Sequence, residues 1–188
     1  MSVVLGRDEE RVVRVLFVCT GNLCRSPMAE ALLRHELARR GCSHVEVSSA
    51  GTWAYDGSGA TTHAVNVLAG RDIDLSTHRS RALLAEEIEA ADVVVAMTSV
   101  HVREILERTP RARHKVILLK EIAEIAAVSA PDAAGRIEAL LTATRPQSRR
   151  SLDVDDPMGL PRRAYERCAG DLEAGIAALA EVLCPSTL

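Results

Sequence analysis

The stretch Val18-Cys19-Thr20-Gly21-Asn22-Leu23-Cys24-Arg25-Ser26-Pro27 decides how the rest of this 188-residue chain is read. Before it, Val12 to Cys19 is an apolar run broken only by Arg14, the pattern of a strand buried in a parallel sheet. After it, Ser26 reads as a helix cap with Pro27 in the first turn, and Gly41 stops the helix after about Arg40. Strand, turn and helix in that order put the turn at the C-terminal end of a strand, where open α/β sheets hold their ligands. A helix start offers unpaired N–H groups and the positive end of the dipole, and so attracts an anion. A tight loop can aim successive N–H groups at one centre. Gly21 and Asn22 are the residue types that accept the left-handed backbone such a loop needs.

A cysteine at the mouth of an anion nest acquires chemistry. Donors that hold phosphate also stabilise a thiolate, which makes Cys19 a nucleophile toward a phosphoryl group. Arg25 adds a planar fork suited to two phosphoryl oxygens. Ser26 has a hydroxyl placed to donate to the thiolate as it leaves. The departing oxygen needs a proton, and Asp153, Asp155 and Asp156 are the carboxyls available for it. Asp156 precedes Pro157, which favours an extended, loop-presenting backbone.

Working outward, the alternation of strand and helix repeats. Val45–Ser49, Asp92–Met97 and Lys115–Leu119 read as further strands. Helices are predicted over Thr62–Ala69, after Met97 to about Arg108, and over Arg162–Leu183. In the last, Tyr165, Cys168, Leu172, Ile176, Leu179 and Leu183 form one apolar stripe. The expectation is a single α/β domain over residues 1–188, in three α/β/α layers about a four-stranded parallel sheet. Residues 1–11 read as an N-terminal extension. Residues 121–153 read as an insertion, with a helical piece around Gly135–Ala143 and a polar, basic loop over Arg145–Ser151.

The segment Val18–Pro27 resembles the signature of the low-molecular-weight protein tyrosine phosphatases. Ser49-Ala50-Gly51-Thr52-Trp53 is similar to that family's second-strand exit, and Ile73–Arg81 to the segment after its second helix. Asp156-Pro157 is similar to its general-acid motif. The resemblance implies a flavodoxin-like topology and a cysteinyl-phosphate intermediate on Cys19. Arg25 and Asp156 would complete the catalytic set, and Thr20, Gly21, Asn22, Leu23, Cys24 and Ser26 the phosphate-binding loop. Ser49 and His78 fall at positions that support the loop, and Trp53 at a substrate rim. The family's usual aromatic after Asp-Pro is Met158 here, a wall less committed to flat rings. Cys24 falls where the family keeps a resolving thiol for oxidised Cys19, which implies reversible inactivation by peroxide. The expected substrates are phosphorylated proteins, with phosphotyrosine ahead of phosphoarginine because Leu23 is apolar where arginine-specific relatives carry threonine. A bacterial tyrosine kinase is a candidate partner, and no metal or cofactor is implied. Arsenate reduction on this scaffold needs further cysteines just after the third strand, and Met97–Leu106 contains none. A non-catalytic phosphate-binding module is the remaining alternative.

Composition agrees with these expectations. A net charge of −3 is unlike a general nucleic-acid binder. No run of about 18 apolar residues suggests a membrane span. Five cysteines make a poor disulfide framework. Met1 to Arg14 lack a signal-peptide core, and a cytoplasmic enzyme, monomer or weak dimer, is expected. Of the six histidines only His78 receives a role, and His63 reads as helix surface.

Overall fold

The computed structural model describes residues 11–125, 128–144 and 151–185. The expected extension, apart from Arg11, and most of the basic loop at 145–151 lie outside the described residues. The elements in chain order are β1 (Val13–Cys19), α1 (Arg25–Arg39), β2 (Val45–Gly51), α2 (Thr62–Ala69), α3 (Ala85–Ala90) and β3 (Val93–Ala96). Then come α4 (Ser99–Arg108), a 3-10 turn (Pro110–Lys115), β4 (Val116–Leu118), α5 (Leu119–Glu124), α6 (Ala133–Thr142) and α7 (Arg162–Leu183). All four strands are parallel, in the order β2-β1-β3-β4.

The apolar run of β1 works because both faces of the sheet are covered. Val13, Val15, Phe17 and Cys19 enter one core with α1, α2, α5, α6 and α7. Leu16 and Val18 enter the other, with Ile88 of α3 and Ile105 of α4. This period-2 division produces the three layers. The stripe on α7 is buried from Tyr165 to Leu183, as are Met28, Leu32, Leu33 and Leu37 on the facing α1.

Several expectations are corrected by packing. Strand β4 ends at Leu118, and Leu119 turns into α5 and is fully buried. Short helices α3 and α5 lacked a sequence signal because six residues give no full apolar stripe. Ser26 is not the cap of α1: the helix begins at Arg25 behind Cys24, and no side chain caps it. The helical piece expected around Gly135–Ala143 is present as α6, and it puts Ile137 and Leu140 into the core. Arg136, also buried, donates to the carbonyls of Val182 at 2.6 Å, Leu183 at 3.2 Å and Ala130 at 3.1 Å. It thereby closes carbonyl groups that the end of α7 leaves open.

The strand order reverses beside β1, which pairs with β2 on one side and β3 on the other. The loop after β1 therefore lies at the topological switch point, flanked by the exits of both neighbours.

One helix contact yields a test. A Cβ on Gly175 of α7 would lie 2.6 and 2.7 Å from side-chain atoms of Leu119 and 2.8 Å from its carbonyl oxygen. Alanine normally favours a helix by about 1 kcal/mol over glycine. Overpacking costs roughly 1–3 kcal/mol and should win. Gly175→Ala is expected to lower stability in urea unfolding; a gain would refute the close packing.

Candidate active site

The loop from Cys19 to Arg25 is held from outside by its carbonyl groups. Those of Cys19 and Thr20 accept the N–H groups of Thr52 and Trp53, each at 2.9 Å. That of Leu23 accepts from Thr61 N–H at 3.0 Å, and that of Asn22 from His78 Nε2 at 2.8 Å. A carbonyl only accepts, so Nε2 carries the proton of His78. In a planar trans peptide, C=O and the next N–H point opposite ways. With these four carbonyls turned outward, the N–H groups of Thr20, Gly21, Leu23 and Cys24 turn inward.

Asn22 sets the shape of the loop. It has φ 53° and its side chain is fully buried. A left-handed residue costs about 1–2 kcal/mol, least for Asn and Gly. Its side chain offsets this with three bonds: Nδ2 donates to Ser26 Oγ at 2.9 Å and Ser49 Oγ at 2.8 Å, and Oδ1 accepts Arg81 N–H at 3.0 Å. Ser49 in turn donates to Glu30 at 2.6 Å. Gly21 does not adopt positive φ, contrary to the sequence expectation; the left-handed turn falls on Asn22 alone within the loop. Glycine is required instead at Gly51, where a Cβ would lie 2.4 Å from the Thr20 carbonyl and 2.9 Å from Asn22 N.

Cys19 ends β1 with its sulfur 3.0 Å from Ser26 Oγ. Ser26 already accepts from Asn22, and its proton has Cys19 at 3.0 Å or the Ala50 carbonyl at 3.5 Å, so it goes to the sulfur. Arg25 is 5% exposed. Its Nη1 donates to the Val154 carbonyl at 3.3 Å, and its Nη2 to Asp156 at 2.5 Å and to Thr20 Oγ1 at 3.5 Å. Its Nε is buried without a partner. An orphaned cationic donor beside an array of inward N–H groups fits an oxyanion.

The three aspartates separate by partner. Asp153 accepts the N–H of Ser99 at 2.7 Å and ties the start of α4. Asp155 is exposed. Asp156 alone reaches the guanidinium of Arg25. Val154 between them bonds the Met97 carbonyl at 2.8 Å, fixing this segment to the exit of β3.

At the rim, Trp53 is 71% exposed, and its indole N–H donates to Glu104 at 2.9 Å. Met158 is half exposed, with its N–H on Asp156 at 3.1 Å. Leu23 is half-buried beside Gly21. Cys24 is a free buried thiol 3.5 Å from Thr61 Oγ1 and 3.6 Å from Tyr165 Oη, and burial pushes its pKa up. His63 is surface, as expected, and its ring lies tilted 5.2 Å from that of Tyr165.

His101 received no role from the sequence, yet it is 2% exposed beside the loop. Its Nε2 lies 2.9 Å from Thr20 Oγ1 and its Nδ1 2.8 Å from Thr98 Oγ1. The signal was its place just past β3, a strand whose exit borders the same crevice.

A four-stranded doubly covered sheet with a cysteine–arginine anion loop at its switch point defines a class: α/β phosphatases of the cysteine-nucleophile type. The family model of the low molecular weight phosphotyrosine protein phosphatases matches residues 14–127, and the chain belongs to that family. The protein-arginine-phosphatase of Geobacillus stearothermophilus is 41% identical over 170 residues, 90% of this chain and 95% of its own. A low molecular weight protein-tyrosine-phosphatase of Streptomyces coelicolor is 36% identical over 165 residues, 86% of this chain and 87% of its own. The solved arginine phosphatase YwlE, as a cysteine-to-serine variant with a phosphorylated active-site serine, superposes with a TM-score of 0.72 at 36% identity. That match covers 90% of this chain and 94% of the other.

Burial, and then the charge of Arg25, push the pKa of His101 from 6.5 down to about 4. Between pH 6.5 and 4 the unfolded chain therefore holds the extra proton. Stability rises with pH across that window and is fully present above it. The contribution at stake is on the order of 3 kcal/mol. In urea unfolding the parent should lose more stability than His101→Gln between pH 6.5 and 4; equal losses would refute the buried neutral imidazole.

Proposed function

We propose that this phosphatase hydrolyses phosphotyrosine on proteins through a cysteinyl-phosphate intermediate. The Cys19 thiolate attacks phosphorus, the bond to the tyrosine oxygen breaks, and Asp156 gives that oxygen its proton. The inward N–H groups and Arg25 hold the equatorial oxygens as the phosphoryl group flattens. Asp156 then takes a proton from water, whose oxygen attacks phosphorus. Cys19 departs as thiolate, with Ser26 donating to the sulfur, and inorganic phosphate is released. Thr20, Gly21, Asn22, Leu23, Cys24 and Ser26 form the phosphate cradle. Ser49 and His78 support it, and Trp53 and Met158 flank the entrance. The observation that carries this reading is the buried Arg25 fork, with Nε unpartnered, Asp156 on Nη2 and its helix opening from the Cys19 loop.

Phosphoarginine is the second reading, favoured by the 41% identity to the Geobacillus enzyme. There the bond broken would be P–N, on a flexible and charged leaving group. Leu23 supports tyrosine, because an apolar side chain at the loop's edge suits a ring better than a guanidinium. A disulfide relay of the arsenate-reducing kind has little support. Cys168 is buried, and that burial pushes its thiol up to about 12. We place the enzyme's action in the cytoplasm, on phosphoproteins, with a bacterial tyrosine kinase as the opposing activity, as a monomer or weak dimer, and without metal, nucleic acid or membrane. No helix among the described residues is long and apolar enough to cross a bilayer.

Two measurements test this. Cys19→Ser should bind inorganic phosphate and turn over no phosphoester; retained turnover would sink the mechanism. The parent should hydrolyse phosphotyrosine faster than phosphoarginine, and Leu23→Thr should move the ratio toward phosphoarginine. Faster phosphoarginine turnover by the parent would transfer the assignment to the second reading.

A further inference from the structure

We propose that His101 is a positioning residue for phosphoryl transfer: set between Thr98 and Thr20, its ring fixes the Thr20 hydroxyl against Arg25 and keeps the guanidinium fork aimed when Asp156 is drawn away. The inference rests on the phosphoryl-transfer reading given above and adds to it a residue outside the signature loop.

Arg25 depends on few partners. Nη1 has the Val154 carbonyl at 3.3 Å, and Nη2 has Asp156 at 2.5 Å and Thr20 Oγ1 at 3.5 Å. In the proposed reaction Asp156 must turn to the leaving oxygen and then to water. During those steps Nη2 retains only the Thr20 hydroxyl and the phosphoryl group itself. Thr20 lies at the exposed mouth of the loop, where a threonine side chain is free to rotate unless something fixes its oxygen. His101 supplies that restraint at 2.9 Å.

His101 is itself fixed. Thr98, the N-cap of α4, accepts the backbone N–H of His101 at 3.3 Å and bonds its Nδ1 at 2.8 Å. A chain of contacts thus runs Thr98–His101–Thr20–Arg25, from the exit of β3 to the fork at the start of α1. A neutral ring has one donor and one acceptor, so each threonine meets a complementary nitrogen. The charged groups around the ring are Arg25 on α1, Glu104 on its own helix, and Asp153 and Asp156 on the acid segment. Burial and Arg25 keep the ring neutral down to about pH 4, and a protonated ring would set a second cation beside the fork.

The test is steady-state hydrolysis of p-nitrophenyl phosphate by the purified full chain, with rates expressed per reactive Cys19 titrated by iodoacetamide. His101→Phe keeps a ring and removes both nitrogens. It should lower kcat on the order of 10- to 100-fold, with a much smaller change in KM. Thr20→Val should lose a comparable factor, and the double variant should lose no more than the worse single. His101→Gln, which restores a donor and an acceptor, should recover part of the loss. A parental kcat per titrated Cys19 in His101→Phe, or losses that multiply in the double variant, would overturn the inference. Should His101→Phe fail to fold, the cycle of His101→Leu, which also lacks both nitrogens, with Thr20→Val decides by the same criteria. A parent inactive on p-nitrophenyl phosphate would overturn the phosphatase reading along with this one; an active parent with unchanged variants overturns this one alone.

Discussion

The bonds of Asn22 are the constraint on which the site depends. One side chain, fully buried, satisfies Ser26, Ser49 and the N–H of Arg81 while its own backbone stands in the left-handed region. Without that turn the four outward carbonyls would not share a direction, and the amides between them would not share a centre. The same bond to Ser26 leaves its proton for Cys19. Loop geometry and the Ser26–Cys19 hydrogen bond are therefore consequences of a single amide. The cost of its backbone conformation is met when the protein folds rather than during the reaction.

Arg25 stands in a different regime. It is buried, charged and incompletely bonded, with Nε alone and Nη2 shared between Asp156 and Thr20. An uncompensated buried cation is costly, and a close carboxylate reduces that cost. Asp156 is half exposed, so it can leave the pair for a neighbouring oxygen without being extracted from a core. Asp153 and Val154, bound to Ser99 and Met97, hold the segment on either side of the fork.

Much of this was legible in the chain. The run into Cys19, the Gly-Asn turn and the Ser-Pro start announced strand, loop and helix. The extent of α7 followed from its apolar stripe. What was not legible shares a physical cause: side chains whose roles depend on long-range partners. Ser26 looked like a cap because Ser-Pro usually is one, whereas Cys19 across the loop claims its hydroxyl. His101 looked like one more helix histidine, because nothing local shows that Thr20, eighty-one residues earlier, sits against it. Gly21 attracted the left-handed turn on residue type, but the buried partners of Asn22 decided its position. Helix α5 escaped notice because Leu119 continues an apolar run straight out of β4.

Arg136 carries a lesson for how this sequence tolerates change. The stretch between β4 and the acid segment looks dispensable by composition. Yet α6 delivers from it the Arg136 guanidinium, which bonds the Val182 and Leu183 carbonyls. Trimming this stretch would remove more than surface: it would take two bonds from the far end of the helix that backs α1, leaving there those that Arg40 and His44 make to Cys184 and Leu183. Length variation here is constrained by a helix terminus.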